Sequence, residues 1–534
     1  MTPTSVHAPV FVIGGPSSPR APVPSEMGGS KAANLSRLER LGLRVPPAIV
    51  LSTPFCQEYL DRGTLATDVT QQVQGAIRQL EEATGLRLGG RHPLLVSVRS
   101  SPPVSMPGML DTILNVGLTD STVRALIRSS GNYRLAWDAY RRLMLGFAKS
   151  VYGVADDPFD RLVAQYLADA HVSRVSALDP LQHRALARDT ADLLKTASEK
   201  AVPGDPFAQM LQAIEAVWRS WTSPRAQEYR RLNGLDSTTG TAVLIQAMVF
   251  GNAGGASGSG VGFTRDPTDG HDQLYLDFLF NAQGEDVVSG RQSSSDATRL
   301  AQILPGVHAE LERAKSRLES EFKDMQDFEF TVQEGRLYFL QTRTGKRTPW
   351  AALHIATDLV SAGVIDAATA LRRLTNIDLE AVERTRLQPT SDQVPIATGI
   401  PAGLGVAAGA MAFDSAAAQQ LATKQPVILV RSEISPNDIA GLTTATGVLT
   451  ALGGRTSHAA VVARQLGKVC VVGCRALRLD NGRHQCTIGD RTFREGESIT
   501  IDGDTGRVYP GRVPVVTEKP REALATIARW RQAM

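Results

Sequence analysis

The chain has 534 residues, with 57 Lys and Arg set against 54 Asp and Glu for a formal charge of +3. At roughly 150 residues per domain, this length makes about three or four compact units. A hydrophobic share of 42% excludes a wholly disordered chain, and the near balance of charge gives no support for nucleic-acid binding through bulk charge. No apolar run reaches the about 18 residues that a membrane span needs. The opening MTPTSVHAPVFVIGG has no basic start followed by a long apolar stretch, so it does not read as a secretory signal. Four cysteines do not make a disulfide scaffold in a chain this long. The expectation is a cytoplasmic multidomain protein with no membrane and no nucleic-acid partner.

In chain order, KAANLSRLERLG (31–42) predicts a helix with leucines at 35, 38 and 41 and Gly42 as its stop. AIVLS, LLVSV (94–98) and TILNVGL (112–118) predict strands. From about 119 to 233 the pattern is helical. Trp137, Tyr140, Met144, Phe147 and Val151 form one amphipathic stripe, and Phe207, Leu211, Ile214, Trp218 and Trp221 form another; both read as core. Strands return at TAVLIQAMVF, VGFTRD and QLYLDFLF, and FEFTVQEGRLYFLQTR (328–343) predicts a hairpin turning at Glu334-Gly335. A helical tract (349–384) leads to the polar, proline-containing RLQPTSDQVP (386–395), which reads as a junction and hinge. Beyond it PVILV, SPNDIAGL, GVLTA, SHAAVVARQLG and VCVVGC alternate strand and helix, with Gly467 closing the last helix. SITIDGDTGRVY (498–509) predicts a hairpin, and EALATIARWRQAM a final helix. Cys470 and Cys474 sit four apart on what reads as one strand, sharing a face but too distant to bridge.

Four segments carry the chemistry. In ALGGRTSHAAVVARQLG, His458 falls where a glycine-rich turn meets the first turn of a helix, with Thr456 or Ser457 as N-cap. Unpaired amides at a helix start favour an anion, which suits a histidine that accepts and passes on a phosphoryl group; a buried or capping histidine is the plainer alternative. GNAGGASGSGVGFTR (251–265) has six glycines and two serines, able to bring backbone amides to a polyphosphate, or simply to form a flexible hairpin tip. Lys31 starts a helix after Gly28, Gly29 and Ser30, a misfit with the helix dipole that makes sense beside phosphate; Arg99 closes a strand. Asp327 and Glu329 share one strand face, and Gln341 and Arg343 share one on the returning strand. Two carboxylates and an amide oxygen suit Mg²⁺ on a nucleotide; an edge of paired surface charges is the alternative.

Together GGSKAANL, LLVSVRSSPPVSMPGMLDTILNVGL, SWTSPRAQEYRRLNG, TAVLIQAMVFGN, FNAQGEDVVSG, DMQDFEFTVQEGRLYFLQTRTGKRT and GGRTSHAAVVARQLGKVCVVGC resemble the pyruvate phosphate dikinase family, in order and through almost the whole chain. The resemblance implies an α/β multidomain protein: an ATP-grasp-type nucleotide-binding domain in two parts (1–118 and 236–348) around a helical subdomain (119–235). A helical linker and hinge (349–395), a β/β/α swivelling phosphohistidine domain (396–515) and a C-terminal helix (516–534) follow. It implies that Lys31 and Arg99 hold ATP phosphates, that Asp327, Glu329 and Gln341 lie at a Mg²⁺-ATP centre with Arg343 alongside, and that Glu329 and Gln341 are the metal ligands. Glu285, within NAQGED, would be a further nucleotide contact.

The same resemblance implies that His458 attacks ATP, releasing AMP, and that inorganic phosphate then removes the terminal group as pyrophosphate. A neutral imidazole is the attacking form, so activity is expected to fall as pH drops through the usual histidine value of about 6.5. Mg²⁺, a monovalent cation (K⁺ or NH₄⁺) and a homodimer are further implied features. The pyruvate-binding barrel of the full-length family needs about 250 more residues, so the expectation is a chain without its own pyruvate site that passes its phosphoryl group to pyruvate or another acceptor on a partner protein. The alternatives are a phosphohistidine relay module and a water-using dikinase similar to phosphoenolpyruvate synthase. Arg455, where the resembled family usually has methionine, is more like the latter, while the surrounding matches favour the phosphate-using branch; Thr456 would be a regulatory phosphorylation site.

Overall fold

In a computed structural model, which describes residues 9–533 other than 17, 19, 20, 107, 237–238, 289–296, 389–392, 435–437, 456, 481 and 483, the chain divides into two compact units. One comprises Met1–Ala253 with Tyr338–Thr342, the other Gly254–Leu337 with Arg343–Met534.

The first unit is built on a five-stranded antiparallel sheet in the order Val10–Ile13, Ala48–Leu51, Ala242–Ala247, Val96–Ser101, Thr112–Val116. Ala242–Ala247 takes the centre and every residue in it is buried, which is why AVLIQA reads as a continuous apolar run instead of alternating. The helical stretch covers this sheet. Trp137, Met144, Phe147, Ile214 and Trp218 are in one core, with Tyr140, Val151, Phe207 and Leu211 packed against its rim, as the two stripes predict. Trp221 departs from its stripe and joins a small separate cluster with Met106 and Ala226.

In the second unit, strands Tyr275–Phe280, Gly258–Phe263 and Gln326–Gln333 pair antiparallel in that order. Gln326–Gln333 continues into Arg336–Thr344 through Glu334 (φ 51°) and Gly335 (φ 77°), the double positive φ of a tight hairpin turn. The glycine-rich stretch 251–265 is only half a loop, because 258–263 is strand. A Cβ on Gly258, Gly260 or Gly262 would lie 2.2, 2.5 or 2.4 Å from the ring of Phe278, Phe330 or Phe328. These three glycines share a strand face and make room for aromatic rings, so the phosphate-loop reading is left with Gly251, Gly254 and Gly255.

An eight-stranded sheet follows, ordered Ala397–Thr398, Arg507–Pro510, Ser498–Asp502, Val406–Ala412, Val427–Arg431, Gly447–Thr450, Val469–Val472, Ile400–Gly403. The four strands from Val406 to Val472 in that order run parallel. Alternate residues feed two cores: Ile428, Val430 and Val471 enter one, and Val427, Leu429, Cys470 and Val472 enter the other with helix residues Ala459, Ala460 and Ala463. The expected shared face of Cys470 and Cys474 is overturned. The strand ends at Val472, Gly473 turns with φ 61°, and Cys474 packs in the opposite core. All four cysteines are free and buried. Of SPNDIAGL, the helix begins at Ile439, and 435–437 lie outside the described residues.

The junction begins in a paired strand. Arg384–Leu387 is a strand paired antiparallel with Val515–Glu518, so the chain enters and leaves the 396–514 module through one two-stranded ribbon; 389–392 lie outside the described residues. Arg384 donates to Glu518 at 2.9 Å and stacks on the Trp350 ring at 4.4 Å. Helices Pro349–Ser361, Ala367–Leu374 and Arg521–Ala533 share a core that includes Trp350, Leu353, Leu374 and Ile527.

Candidate active site

Lys31 is placed by a break in its own helix. Ser25–Arg40 consists of two helical segments joined at Gly29, whose φ of 73° and ψ of 169° are not helical. A Cβ there would stand 1.7 Å from the Ser101 carbonyl oxygen, so only glycine lets the join lie against the end of strand Val96–Ser101. The contact is stitched by the Ser30 N–H donating to the Pro102 carbonyl at 2.9 Å. Ser101 Oγ donates to the Gly28 carbonyl at 2.8 Å and accepts from the Ala32 N–H at 3.2 Å. Lys31 Nζ then donates to the Ser100 carbonyl at 2.9 Å.

Arg99 lies on that strand, opposite Leu244. Its guanidinium donates to Gln341 Oε1 at 3.1 Å and to Gln246 Oε1 at 3.4 Å. The acceptors named here are a backbone carbonyl for Lys31 and two side-chain amide oxygens for Arg99. Gln246 was not singled out by sequence. The available signal was a glutamine inside an otherwise apolar central strand, buried to 2% exposure. A guanidinium has only donors and therefore fixes the amide oxygen toward Arg99; Gln246 Nε2 has no hydrogen-bond partner among the described residues.

Asp327 is buried on Gln326–Gln333 and accepts from Arg343 Nε at 2.7 Å. Glu329, two residues on and half-buried, faces the same way. Burial pushes the Asp327 carboxyl above its ordinary value by more than Arg343 draws it down, and the Glu329 charge adds to the rise. Among the described residues no three or more His, Cys, Asp or Glu are grouped as a metal cage. Two carboxylates supply only part of the shell of a hard cation, the fitting arrangement for an ion that arrives with phosphate oxygens and water.

Asp327→Asn is expected to remove a pH-dependent cost of folding. Because the carboxyl's folded-state value is raised, its contribution to stability is present below the ordinary carboxylate range and is lost as pH rises through the raised value. Urea midpoints compared between about pH 4 and pH 7 should decline less toward neutrality in the variant than in the parent chain. Identical slopes would count against the buried carboxyl.

His458 is the first residue of helix His458–Gln465, and Ser457 is its N-cap, its hydroxyl accepting from the Ala460 N–H at 3.5 Å. Gly453, with φ 114°, turns the chain against Ser457. The helix start thus presents its first amides at the position of the histidine. Thr456 lies outside the described residues. Glu285 is exposed in the first turn of the short helix Gly284–Val288. The sequence reading also passed over Arg464, fully buried at 0% exposure near the end of the His458 helix. Its Nη1 donates to the carbonyls of Arg455 at 2.8 Å and Ala402 at 3.2 Å.

Residues 62–307 match the family model described as pyruvate phosphate dikinase, AMP/ATP-binding domain, and residues 423–506 match that of PEP-utilising enzyme, mobile domain. The chain is 39% identical over 520 residues to a pyruvate, phosphate dikinase of Rhizobium meliloti, covering 95% of this chain and 58% of that protein. It is 41% identical over 508 residues to one from Clostridium symbiosum (94% and 58%) and 40% identical over 511 residues to a chloroplastic one from Zea mays (95% and 54%). The chain therefore spans a little over half the length of these relatives. No helix among the described residues is long and apolar enough to cross a membrane. Matched at both domains and along nearly its whole length, the chain is similar to the pyruvate, phosphate dikinases through the part of them that it spans.

Proposed function

We propose that this chain transfers a phosphoryl group from ATP to His458, using residues 1 to about 345 as an ATP-grasp-type nucleotide site and the 396–515 module as a swivelling carrier. The observation that carries the reading is the convergence of Lys31 and Arg99 on one strand end, Lys31 on the Ser100 carbonyl and Arg99 on the Gln341 and Gln246 amide oxygens. Such a pair suits a polyphosphate, and phosphoryl transfer depends mainly on positioning and charge neutralisation. Lys31 and Arg99 hold the phosphates, and Gln341 acts through Arg99, which already takes its amide oxygen. Mg²⁺ would supply charge neutralisation when bound with the nucleotide, and Glu329 and Gln341 are the residues that would hold it, with Asp327 beside them.

The imidazole of His458 attacks the β-phosphorus, and the bond to the bridging oxygen breaks toward AMP. An oxygen of inorganic phosphate then attacks the terminal phosphorus, pyrophosphate leaves, and His458 keeps one phosphoryl group. That group passes to pyruvate, giving phosphoenolpyruvate, or to another acceptor, which a separate protein can present.

Incubation of the full chain with ATP labelled at the β-position, Mg²⁺ and phosphate is the test. The expected result is an acid-labile label on His458, with AMP and pyrophosphate released and pyrophosphate dependent on added phosphate. Label that appears elsewhere, or never appears, would sink the reading. Release of phosphate without pyrophosphate would move the chain to the water-using branch.

A further inference from the structure

We infer that Arg455 and Arg464 form a two-arginine grip that holds the start of the His458 helix against the sheet bearing Asp327, and that both are positioning residues for loading His458. The inference rests on the phosphohistidine reading above.

The grip lies on one cross-strand row. Phe263 pairs with Tyr275 on one side and with Asp327 on the other. The Arg455 guanidinium stands 4.7 Å over the Tyr275 ring and that of Arg464 stands 5.6 Å over the Phe263 ring. Asp327, next in the row, feels the positive charge of Arg464, and Asp266 feels that of Arg455. Both arginines come from the 396–515 module, whereas the row belongs to the sheet of residues 258–333.

The two side chains act as one piece. Arg464 Nη1 donates to the backbone carbonyl of Arg455 at 2.8 Å, so the last turn of the helix is tied to the loop three residues ahead of His458. A movement of either arginine moves the helix start. Arg464 is also a costly residue to bury. It has no exposure, and its Nε and Nη2 have no hydrogen-bond partner among the described residues. Arg464 Nη1 serves its own module through the Arg455 and Ala402 carbonyls, while its guanidinium face turns to the Phe263 ring and its charge toward Asp327, interactions that gain strength when water is excluded. The contact therefore favours the docked arrangement through groups that would be hydrated once the module leaves.

A double-mutant cycle on the full chain tests the grip across the contact. Arg455→Met and Tyr275→Leu should each slow single-turnover loading of His458 from β-labelled ATP by about 10-fold and leave the affinity for a fluorescent ATP analogue unchanged. Arg455→Lys should recover part of the rate, since an ammonium also binds a ring face. The double variant should be no slower than the slower single one. A double variant whose loss is the product of the two single losses would show that the residues act separately and would overturn the proposal, as would single variants that load at the parent rate. Hydrogen–deuterium exchange gives a readout independent of chemistry. Arg455→Met should raise exchange in 275–280 and Tyr275→Leu should raise it in 458–465; no reciprocal change would also overturn the proposal. A parent chain that takes no label would defeat the phosphohistidine reading instead, while the exchange result still decides the grip.

Discussion

Replacing His458 with alanine should abolish label uptake from β-labelled ATP and reduce AMP release in the presence of phosphate on the order of 10⁴-fold or more, the scale seen when a covalent nucleophile is removed. Nucleotide affinity should stay within about twofold, because under the proposed reading Lys31 and Arg99 hold the nucleotide while His458 acts only in the chemical step. Alanine is a strong helix former, and the Ser457 hydroxyl caps the helix through the Ala460 N–H, a bond that does not use the histidine side chain, so the helix start should survive. The decisive measurement is AMP production with binding measured in parallel. Undiminished AMP production with the alanine protein would remove His458 from the reaction.

Gly29→Ala should be the most damaging single methyl addition near the nucleotide site. The residue has a φ of 73°, and its new Cβ would lie 1.7 Å from the Ser101 carbonyl oxygen and 2.3 Å from that carbonyl carbon. Both are backbone atoms, so no rotamer change relieves the overlap. The helix bearing Lys31 and the strand bearing Arg99 must separate, with an expected cost of about 3 kcal/mol or more and a loss of ATP affinity along with it. Gly42→Ala supplies the control. It has the same φ of 73° with nothing within 4 Å, so it should show only the strain of a left-handed alanine, about 1 kcal/mol. Urea midpoints of the two variants, read beside nucleotide binding, settle the comparison. Equal costs would mean that the close approach at Gly29 does not matter.

Legibility in the sequence followed the range of the forces involved. Periodic burial is local, so the stripes at Trp137–Val151 and Phe207–Trp218 mark their core faces correctly, and the Glu334-Gly335 turn is written in two adjacent residues. The glycine-rich stretch misled because Gly258, Gly260 and Gly262 answer to rings on two other strands, which no local pattern reveals. Cys470 and Cys474 misled because one turn at Gly473 sends the chain to the opposite core. The strand Arg384–Leu387 was hidden because its partner lies more than a hundred residues further on. Of the candidate site, Lys31, Arg99, Asp327 and His458 stood out by residue type against their setting. Gln246 and Arg464 did not, because their roles depend on what they face across strands and helices: a guanidinium for one, an aromatic ring and two carbonyls for the other.

The paired ribbon at 384–387 and 515–518 has a mechanical consequence. Its two strands lie about 5 Å apart and are held at the base by the contacts of Arg384 with Trp350 and Glu518. Under the swivel proposed above, the module would turn by winding four residues on each side, like a load on a torsion bar, and the stiffness of that ribbon would set its angular travel.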